Sequence, residues 1–239
     1  MTLDTPPDTP IRHALVTGSS SGIGHAIARG LLEAGWRVTG VDIAAPTLDG
    51  VAGFTALPLD LRDGDAVRAA LAGVGVPDAV VHAAGVLRTA PLGALDEGAG
   101  ELMWQLHVQA ATRLADQLLP AMAAAGRGRL VLVGSRVASG MPGRSQYAAT
   151  KAALVALAKS WAAEVVAQGV TVNVVSPAAT DTGMLADPAR ASSSPRLPPI
   201  GRLIQPHEIA ALVRFLLSSD AAAITGQELQ ICGGASLNR

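Results

Sequence analysis

Hydrophobic and polar residues follow a repeating order from Ile11 nearly to the end of the chain. A short apolar run is followed by a turn and then by a segment whose hydrophobic residues recur three or four positions apart, as Ile27 and Leu31 do. The first pattern predicts a strand and the second an amphipathic helix. Strands are predicted at 11–17, 36–42, 54–60, 78–85, 128–135 and 169–177, and helices near 25–35, 63–72, 96–124, 146–167 and 206–217.

This alternation predicts an α/β protein with a single-domain Rossmann fold, in which helices cover both faces of a doubly wound parallel sheet. Hydrophobic residues make up 49% of the chain and the mean hydropathy is +0.36, as expected of a sheet buried on both sides. In such a fold, ligands bind at the carboxyl ends of the strands. We therefore look for functional residues at those ends.

The 239 residues suit one domain, which we place at 11–239. Residues 1–10 contain three prolines and two aspartates and are predicted to form a flexible tail. The segment 186–200 breaks the repeating order with four prolines and three serines. A loop of that length within a compact domain is usually functional, and we expect it to form a lid over the substrate.

Charge and composition exclude several classes of protein. The formal net charge of −1 is too balanced for the phosphate neutralisation that drives nucleic-acid binding, and no run of about 18 apolar residues predicts a membrane helix. The single cysteine, Cys232, permits no internal disulfide, and the opening residues do not resemble a signal peptide, so we expect a cytoplasmic protein. None of the five histidines has a partner at metal-ligand spacing, so no metal is expected.

A glycine-rich turn lies between the first predicted strand and helix. Gly18, Gly22 and Gly24 let the backbone turn sharply and approach a pyrophosphate, which the free N–H groups at the helix start would bind. The spacing differs from the usual GxGxxG, and a tight turn without a ligand remains an alternative. A dinucleotide site needs a second signal.

Asp42 supplies that signal, because it ends the second predicted strand 18 residues after Gly24. An acid about 20 residues after the turn bonds the adenine ribose in dinucleotide-binding folds. Its charge would repel a 2′-phosphate, and the neighbouring Ser19–Ser21 offer no cation, so we expect NAD rather than NADP. The alternative is that Asp42 only caps the next turn.

Tyr147 and Lys151 are four positions apart on a predicted helix and so share one face. A cation about 5 Å from the phenol, at an effective dielectric constant near 20, favours the phenolate by about 3 kcal/mol and lowers the pKa of the tyrosine by about two. Ser135, at the end of a predicted strand, would hold the substrate oxygen beside the phenol. Each residue alone would be ordinary packing or capping, but together they form an acid–base site.

The motifs TGSSSGIG at 17–24, DLRD at 60–63, HAAG at 82–85 and SPAATDT at 176–182, with the Ser-Tyr-Lys set, resemble the short-chain dehydrogenase/reductase family over Ile11 to Gly234. The resemblance implies that Tyr147 donates or accepts the proton. It implies that Lys151 binds the nicotinamide ribose and lowers the pKa of the tyrosine, and that Ser135 positions the reacting carbonyl or hydroxyl.

The resemblance also implies a set of cofactor-binding residues. Asp60 would accept from the adenine amino group, Pro177 would line the nicotinamide and Thr182 would meet its carboxamide. The full set is Gly18, Ser20, Ser21, Gly22, Ile23, Gly24, Asp42, Asp60, Leu61, Ala84, Gly85, Tyr147, Lys151, Pro177, Ala179 and Thr182.

Four positions depart from the family pattern. The family usually has Asn at His82 and His107, Gly at Ala178 and Asp at Cys232. His107 falls where the resemblance places a fourth catalytic residue, whose backbone carbonyl holds a water on a proton path to the lysine. We expect that path to survive. The His107 ring either adds a group that titrates near neutrality or is satisfied between two helices.

The proton chemistry pairs with hydride transfer, so the predicted reaction exchanges a secondary alcohol and a ketone. Arg88, Arg136 and Arg144 are candidates to bind a substrate carboxylate, and Met141 and Met184 would form an apolar wall.

Residues 80–93 and 174–184 are most similar to 2,3-dihydro-2,3-dihydroxybenzoate dehydrogenases, which oxidise a cyclic diol carboxylate. A 3-oxoacyl-carrier-protein reductase, a sugar or polyol dehydrogenase and, more remotely, a dinucleotide-sensing regulator without turnover remain open. By family resemblance, the helices near 96–124 and 146–167 would pair chains into a homodimer or homotetramer.

Overall fold

The computed structural model describes residues 12–186 and 196–237. The predicted tail at 1–10 and residues 187–195 of the predicted lid lie outside this part of the chain. Within it, seven strands form one parallel sheet in the order β3-β2-β1-β4-β5-β6-β7. The strands are β1 His13–Thr17, β2 Arg37–Asp42, β3 Phe54–Pro58, β4 Ala79–His82, β5 Gly128–Val133, β6 Val170–Pro177 and β7 Glu228–Ile231.

Six α-helices connect or follow the strands in the described part of the chain. They are α1 Gly22–Glu33, α2 Gly64–Ala72, α3 Glu97–Trp104, α4 Ala110–Ala124, α5 Ser145–Val165 and α6 Pro206–Leu216. A π-helical segment, Gln105–Gln109, joins α3 to α4. Short 3-10 turns follow at Arg136–Ser139, Val166–Gln168, Gly183–Ala186 and Ser219–Ala221.

The sheet is buried on both faces because successive side chains along each strand point to opposite sides. On β1, Leu15 packs with residues of α2, α4 and α5, whereas Val16 packs with residues of α1 and α6, and both are fully buried. Burying a side chain of this size contributes about 1.5–3 kcal/mol. The predicted Rossmann architecture, with a doubly wound parallel sheet between two helical layers, is confirmed.

Three details of the sequence prediction differ from the structure. Glu228–Ile231 forms a seventh strand, which pairs with β6 at the edge of the sheet. The single helix near 96–124 is divided by the π-helical segment into α3 and α4. Three strands also end two residues or more before their predicted limits, so that Asp60 and Ser135 lie in the loops beyond β3 and β5.

Candidate active site

A cavity of about 1140 Å³ opens at the carboxyl ends of the strands. The loops after β1, β2, β3, β4, β5 and β6 line it, together with residues near Gly234. Sites for one small molecule usually measure about 300–1,000 Å³, so this cavity has room for a cofactor and a substrate. Among the described residues, no group of three or more His, Cys, Asp or Glu side chains could hold a metal ion. Nor does any helix in that part of the chain have the length and apolar character needed to cross a membrane.

The glycine-rich turn brings backbone, rather than side chains, to the wall of the cavity. Gly18 has a φ of +70°, and a Cβ there would lie 2.9 Å from the Ala84 Cα atom, while a Cβ on Gly24 would collide with the Gly18 carbonyl oxygen. No side chain caps the N-terminus of α1, and its first turn holds no acidic residue. Free N–H groups at a helix start, with no side chain in the way, fit a pyrophosphate.

Asp42, the last residue of β2, lines the cavity and also makes the capping contacts considered above. Its Oδ2 atom accepts from the Ser20 N–H and its Oδ1 atom from the Ala44 N–H, both at 2.9 Å. Each carboxylate oxygen can accept a further hydrogen bond, so capping and ribose binding are compatible. The Ser20 side chain turns away to the Ala44 carbonyl oxygen, 3.3 Å distant, and is not among the lining residues.

Asp60 also lines the cavity, where Arg62 holds its carboxylate at 2.7 Å. This hydrogen bond keeps the pKa of Asp60 below its usual value. Sequence reasoning missed Arg62, a second charged group at this end of the cavity. The DLRD spacing could have revealed it, because a residue two positions after an aspartate in a turn can fold back onto the carboxylate.

Tyr147 and Lys151 stand on one face of α5, and the Lys151 Nζ atom is 5.8 Å from the centroid of the tyrosine ring. Lys151 is 5% exposed and its Nζ atom donates to the Val133 carbonyl oxygen at 2.8 Å. Burial lowers the pKa of Lys151 to about 7. Lys151 is therefore only partly charged at neutral pH, in contrast to the fully charged ammonium expected from the sequence.

Ser135 lies two residues beyond β5 and lines the same cavity. Its Oγ atom accepts from the Val137 N–H at 3.2 Å, which caps the 3-10 turn that follows. A hydroxyl that accepts there still has its own proton to donate. Ser135 can therefore cap the turn and also donate to an oxygen atom in the cavity.

His107 is fully buried in the π-helical segment and borders the cavity. Its Nε2 atom accepts from the Val86 N–H at 3.1 Å, its Nδ1 atom lies 2.9 Å from the Thr150 hydroxyl, and its ring meets Tyr147 edge-on at 5.7 Å. Burial, with the charge of Lys151 second, keeps the pKa of His107 well below its usual value. Of the two expectations for this ring, the structure favours the satisfied histidine.

The predicted substrate residues divide between two places. Arg136 and Arg144 line the cavity with Met141 and Met184, as does Arg196, which sequence reasoning did not single out. Arg88 instead lines a separate depression of about 210 Å³, beside Asp96 and Gln146. The structure therefore does not bring Arg88 to the main cavity.

The implied cofactor residues, with the exception of Ser20, are brought together around the cavity. Gly18, Ser21, Gly22, Ile23, Gly24, Asp42, Asp60, Leu61, Ala84, Gly85, Tyr147, Lys151, Pro177, Ala179 and Thr182 all line it. Thr182 lies over the start of α1, because a Cβ atom added to Gly22 would be 3.4 Å from the Thr182 methyl group. One cavity thus joins a dinucleotide-type turn to a Ser-Tyr-Lys set, which defines an oxidoreductase of the nicotinamide-dependent class.

Comparison with known proteins agrees. A family model described as enoyl-(acyl carrier protein) reductase matches residues 18–236. The chain is 35% identical over 234 residues to a 3-oxoacyl-[acyl-carrier-protein] reductase of Vibrio cholerae, which covers 92% of this chain and 96% of that protein. A 2-keto-3-deoxy-L-fuconate dehydrogenase of Xanthomonas campestris is 33% identical, over 99% of this chain and 84% of that one.

A solved structure of a short chain dehydrogenase/reductase family protein superposes with a TM-score of 0.86 at 35% identity, covering 93% of this chain and 96% of that chain. The chain belongs to the short-chain dehydrogenase/reductase family. It is an oxidoreductase that acts on CH–OH groups.

Proposed function

We propose that this enzyme transfers a hydride between NAD(H) and a secondary alcohol or ketone. The observation that carries the proposal is the presence of Ser135, Tyr147 and Lys151 on the wall of the cavity that also holds the glycine-rich turn. The test is NADH formation with a panel of secondary alcohols. Absence of turnover with intact NAD binding would favour a dinucleotide-sensing regulator.

The proposed roles follow from the contacts. A bound nicotinamide supplies the hydride acceptor for oxidation or the donor for reduction. In oxidation, the Ser135 hydroxyl donates a hydrogen bond to the substrate oxygen, and Tyr147 as phenolate accepts the alcohol proton as the C=O bond forms. Lys151, when charged, stabilises that phenolate. The N–H groups at the start of α1 would hold the pyrophosphate, with Thr182 and Pro177 at the nicotinamide end.

NAD is the proposed cofactor rather than NADP, and Asp42 supports this preference. The Asp42 carboxylate lines the cavity at the end of β2. Among the described lining residues, the cation nearest to it in sequence is Arg62, which is already paired with Asp60. A 2′-phosphate beside Asp42 would place like charges together without a free cation to offset them.

Asp42→Asn is expected to shift the kcat/KM ratio of NADP to NAD upward by about 10- to 100-fold, since it removes one charge while keeping the side chain's shape. Steady-state kinetics with both cofactors measure the ratio. Asp49→Asn, which alters an exposed carboxylate on the same loop, is the matched control and should leave the ratio unchanged. An unchanged ratio in Asp42→Asn would contradict the NAD assignment.

A substrate that carries a carboxylate is the finer part of the proposal. The acidic residues among the described lining residues are Asp42 and Asp60, beyond β2 and β3, whereas Arg136, Arg144 and Arg196 lie beyond β5 and β6. The catalytic end of the cavity is therefore positive. This charge suits a cyclic diol carboxylate such as 2,3-dihydro-2,3-dihydroxybenzoate, and the Xanthomonas campestris relative is likewise named for a sugar acid.

A 3-oxoacyl-carrier-protein reductase is the second candidate. The relative from Vibrio cholerae carries that name, and Leu197 and Leu237 line the cavity with 62% and 72% of their surface exposed. An apolar rim of this kind suits an acyl chain. A polyol without charge is the third candidate, and the arginines argue against it.

Arg136→Gln is expected to raise KM for hydroxy acids by about 10- to 100-fold, because a charged hydrogen bond to the substrate contributes about 1.5–3 kcal/mol. For alcohols of the same length without a carboxylate, KM should change less than about twofold. Arg68→Gln, on the exposed side of α2, is the control and should alter neither value. Equal losses for charged and uncharged substrates would argue against carboxylate binding by Arg136.

We propose that chains associate into a homodimer or homotetramer through α4 and α5. Small side chains, including Ala149, Ala152 and Ala156, are exposed along α5, which supports close approach of a second helix. Light scattering at micromolar concentration measures the mass, and a monomer would contradict the proposal. A cytoplasmic location is also proposed, and the single Cys232, which leaves no internal disulfide, supports it.

A further inference from the structure

Two buried histidines flank the loop after β4, and the mechanism above uses neither ring. His82 ends β4 and is 1% exposed, and His107 lies in the π-helical segment and is fully buried. By resemblance the family usually has Asn at both positions, so the pair distinguishes this chain. Both nitrogens of a buried imidazole need a partner of the right kind, and those partners show where each proton sits.

The proton on His82 is fixed by Thr17, the last residue of β1. The Thr17 Oγ1 atom accepts from the Ala83 and Ala84 N–H groups, each at 3.1 Å, which uses both of its acceptor sites. Its own proton therefore goes to the His82 Nδ1 atom, 2.9 Å away. The Nε2 atom then carries the ring proton and donates to the Leu106 carbonyl oxygen at 3.1 Å. His82 is neutral, with its proton on Nε2.

His107 has the opposite arrangement. Its Nε2 atom accepts from the Val86 N–H at 3.1 Å and so carries no proton. The Thr150 hydroxyl donates to the Tyr147 carbonyl oxygen at 2.8 Å, because a carbonyl can only accept. Thr150 Oγ1 must then accept from the His107 Nδ1 atom, 2.9 Å away. His107 is neutral, with its proton on Nδ1.

We propose that His82 and His107 are positioning residues that act as one unit, a pair of neutral imidazoles with opposite tautomers. The unit runs from Thr17, directly before the glycine-rich turn, through the π-helical segment to the backbone of Tyr147. It fixes the catalytic helix against the turn that would hold the cofactor. Asn, a shorter side chain, cannot make the same pair of ring contacts.

Acid should disturb this unit. A second proton on His107 would point at the Val86 N–H, and one on His82 would point at the Thr17 hydroxyl. Burial lowers the pKa values of both rings, that of His82 to about 4. The charge of Lys151 lowers both values further. Unfolded histidines bind protons below about pH 6.5 that the folded ones do not, so stability should fall as the pH drops from about 6.5 toward 4.

Proton-detected ¹⁵N NMR of the imidazole rings in the full chain tests the tautomers directly. At neutral pH the expected result is two neutral rings, one protonated on Nε2 and the other on Nδ1, with assignments from His82→Asn and His107→Asn. A charged ring, or two rings with the same tautomer, would overturn the proposal. This readout does not depend on turnover, so it fails or succeeds separately from the proposed function.

The kinetic test rests on the proposed function and uses Thr150, where two substitutions separate hydrogen bonding from packing. Thr150→Val keeps the shape but loses the hydroxyl, and it should lower kcat about tenfold and change the His107 tautomer signal. Thr150→Ser keeps the hydroxyl and should retain kcat within about twofold. If Thr150→Val preserves kcat and Thr150→Ser does not, Thr150 contributes only packing and the positioning role is refuted.

Discussion

Tyr147→Phe is expected to lower kcat by about 10²- to 10⁴-fold while leaving the affinity for NADH nearly unchanged. The substitution removes only the phenolic oxygen, the one group in the cavity proposed to exchange a proton with the substrate, and general acid–base catalysis contributes a factor of that size. The ring itself stays packed edge-on against His107. A large loss of turnover with retained cofactor binding is the signature of a lost proton transfer. NADH fluorescence measures the cofactor binding.

The chain offers a direct check on this prediction, because Tyr147 is its only tyrosine. Phenolate absorbance in the near ultraviolet therefore reports the titration of this group alone. The Tyr147→Phe protein should show no such titration. A variant that turned over as fast as the native enzyme would end the enzymatic interpretation of the site.

Lys151→Met is expected to produce the second large effect, a fall in kcat/KM of about 100-fold. The Lys151 Nζ atom lies 5.8 Å from the ring centroid, and at about that separation, with an effective dielectric constant near 20, an ammonium stabilises a phenolate by about 3 kcal/mol. The effect should be largest below about pH 7, where the lysine is charged, since burial lowers its pKa to about 7.

The same substitution is expected to raise the free energy of unfolding by about 4 kcal/mol at neutral pH. In the unfolded chain the lysine binds a proton up to about pH 10.5, whereas the folded chain loses it near 7, so the folded state is penalised as the pH falls from 10.5 to 7. Below pH 7 that penalty is complete. Chemical denaturation at pH 7 and pH 10 measures the difference.

Lys159→Met is the matched control, because Lys159 is the only other lysine of the chain and is exposed on the same helix. It should change neither the activity, nor the tyrosine titration, nor the stability by more than about 0.5 kcal/mol. If both lysine variants behaved alike, the proposed coupling between Lys151 and Tyr147 would be contradicted.

Much of the fold and the framework of the site could be predicted because their signals are local. The apolar runs of six strands, the glycine-rich turn, and the spacing of Tyr147 and Lys151 are properties of short stretches of sequence. A parallel sheet then brings the strand ends to one edge, so residues far apart in the chain meet there. No long-range information was needed for that step.

The remaining details depend on contacts that no short stretch reveals. The four residues of β7 include Glu228 and Gln230, and they form a strand only because β6 offers an edge to pair with. Arg88 follows a cavity-lining loop closely, yet it lies on the other side of that loop, beside Asp96. The pKa of Lys151 could not be predicted either, since it is set by burial in the assembled core.

The π-helical segment Gln105–Gln109 makes the length of this region as important as its composition. A π turn corresponds to one extra residue in an α-helix, and each residue of an α-helix advances the azimuth by about 100°. Removing one residue would convert the segment to regular α-helix and rotate the side chains of α4 relative to those of α3. His107 would then face away from Thr150, so a one-residue deletion in this segment is expected to silence the enzyme even though Ser135, Tyr147 and Lys151 are unchanged.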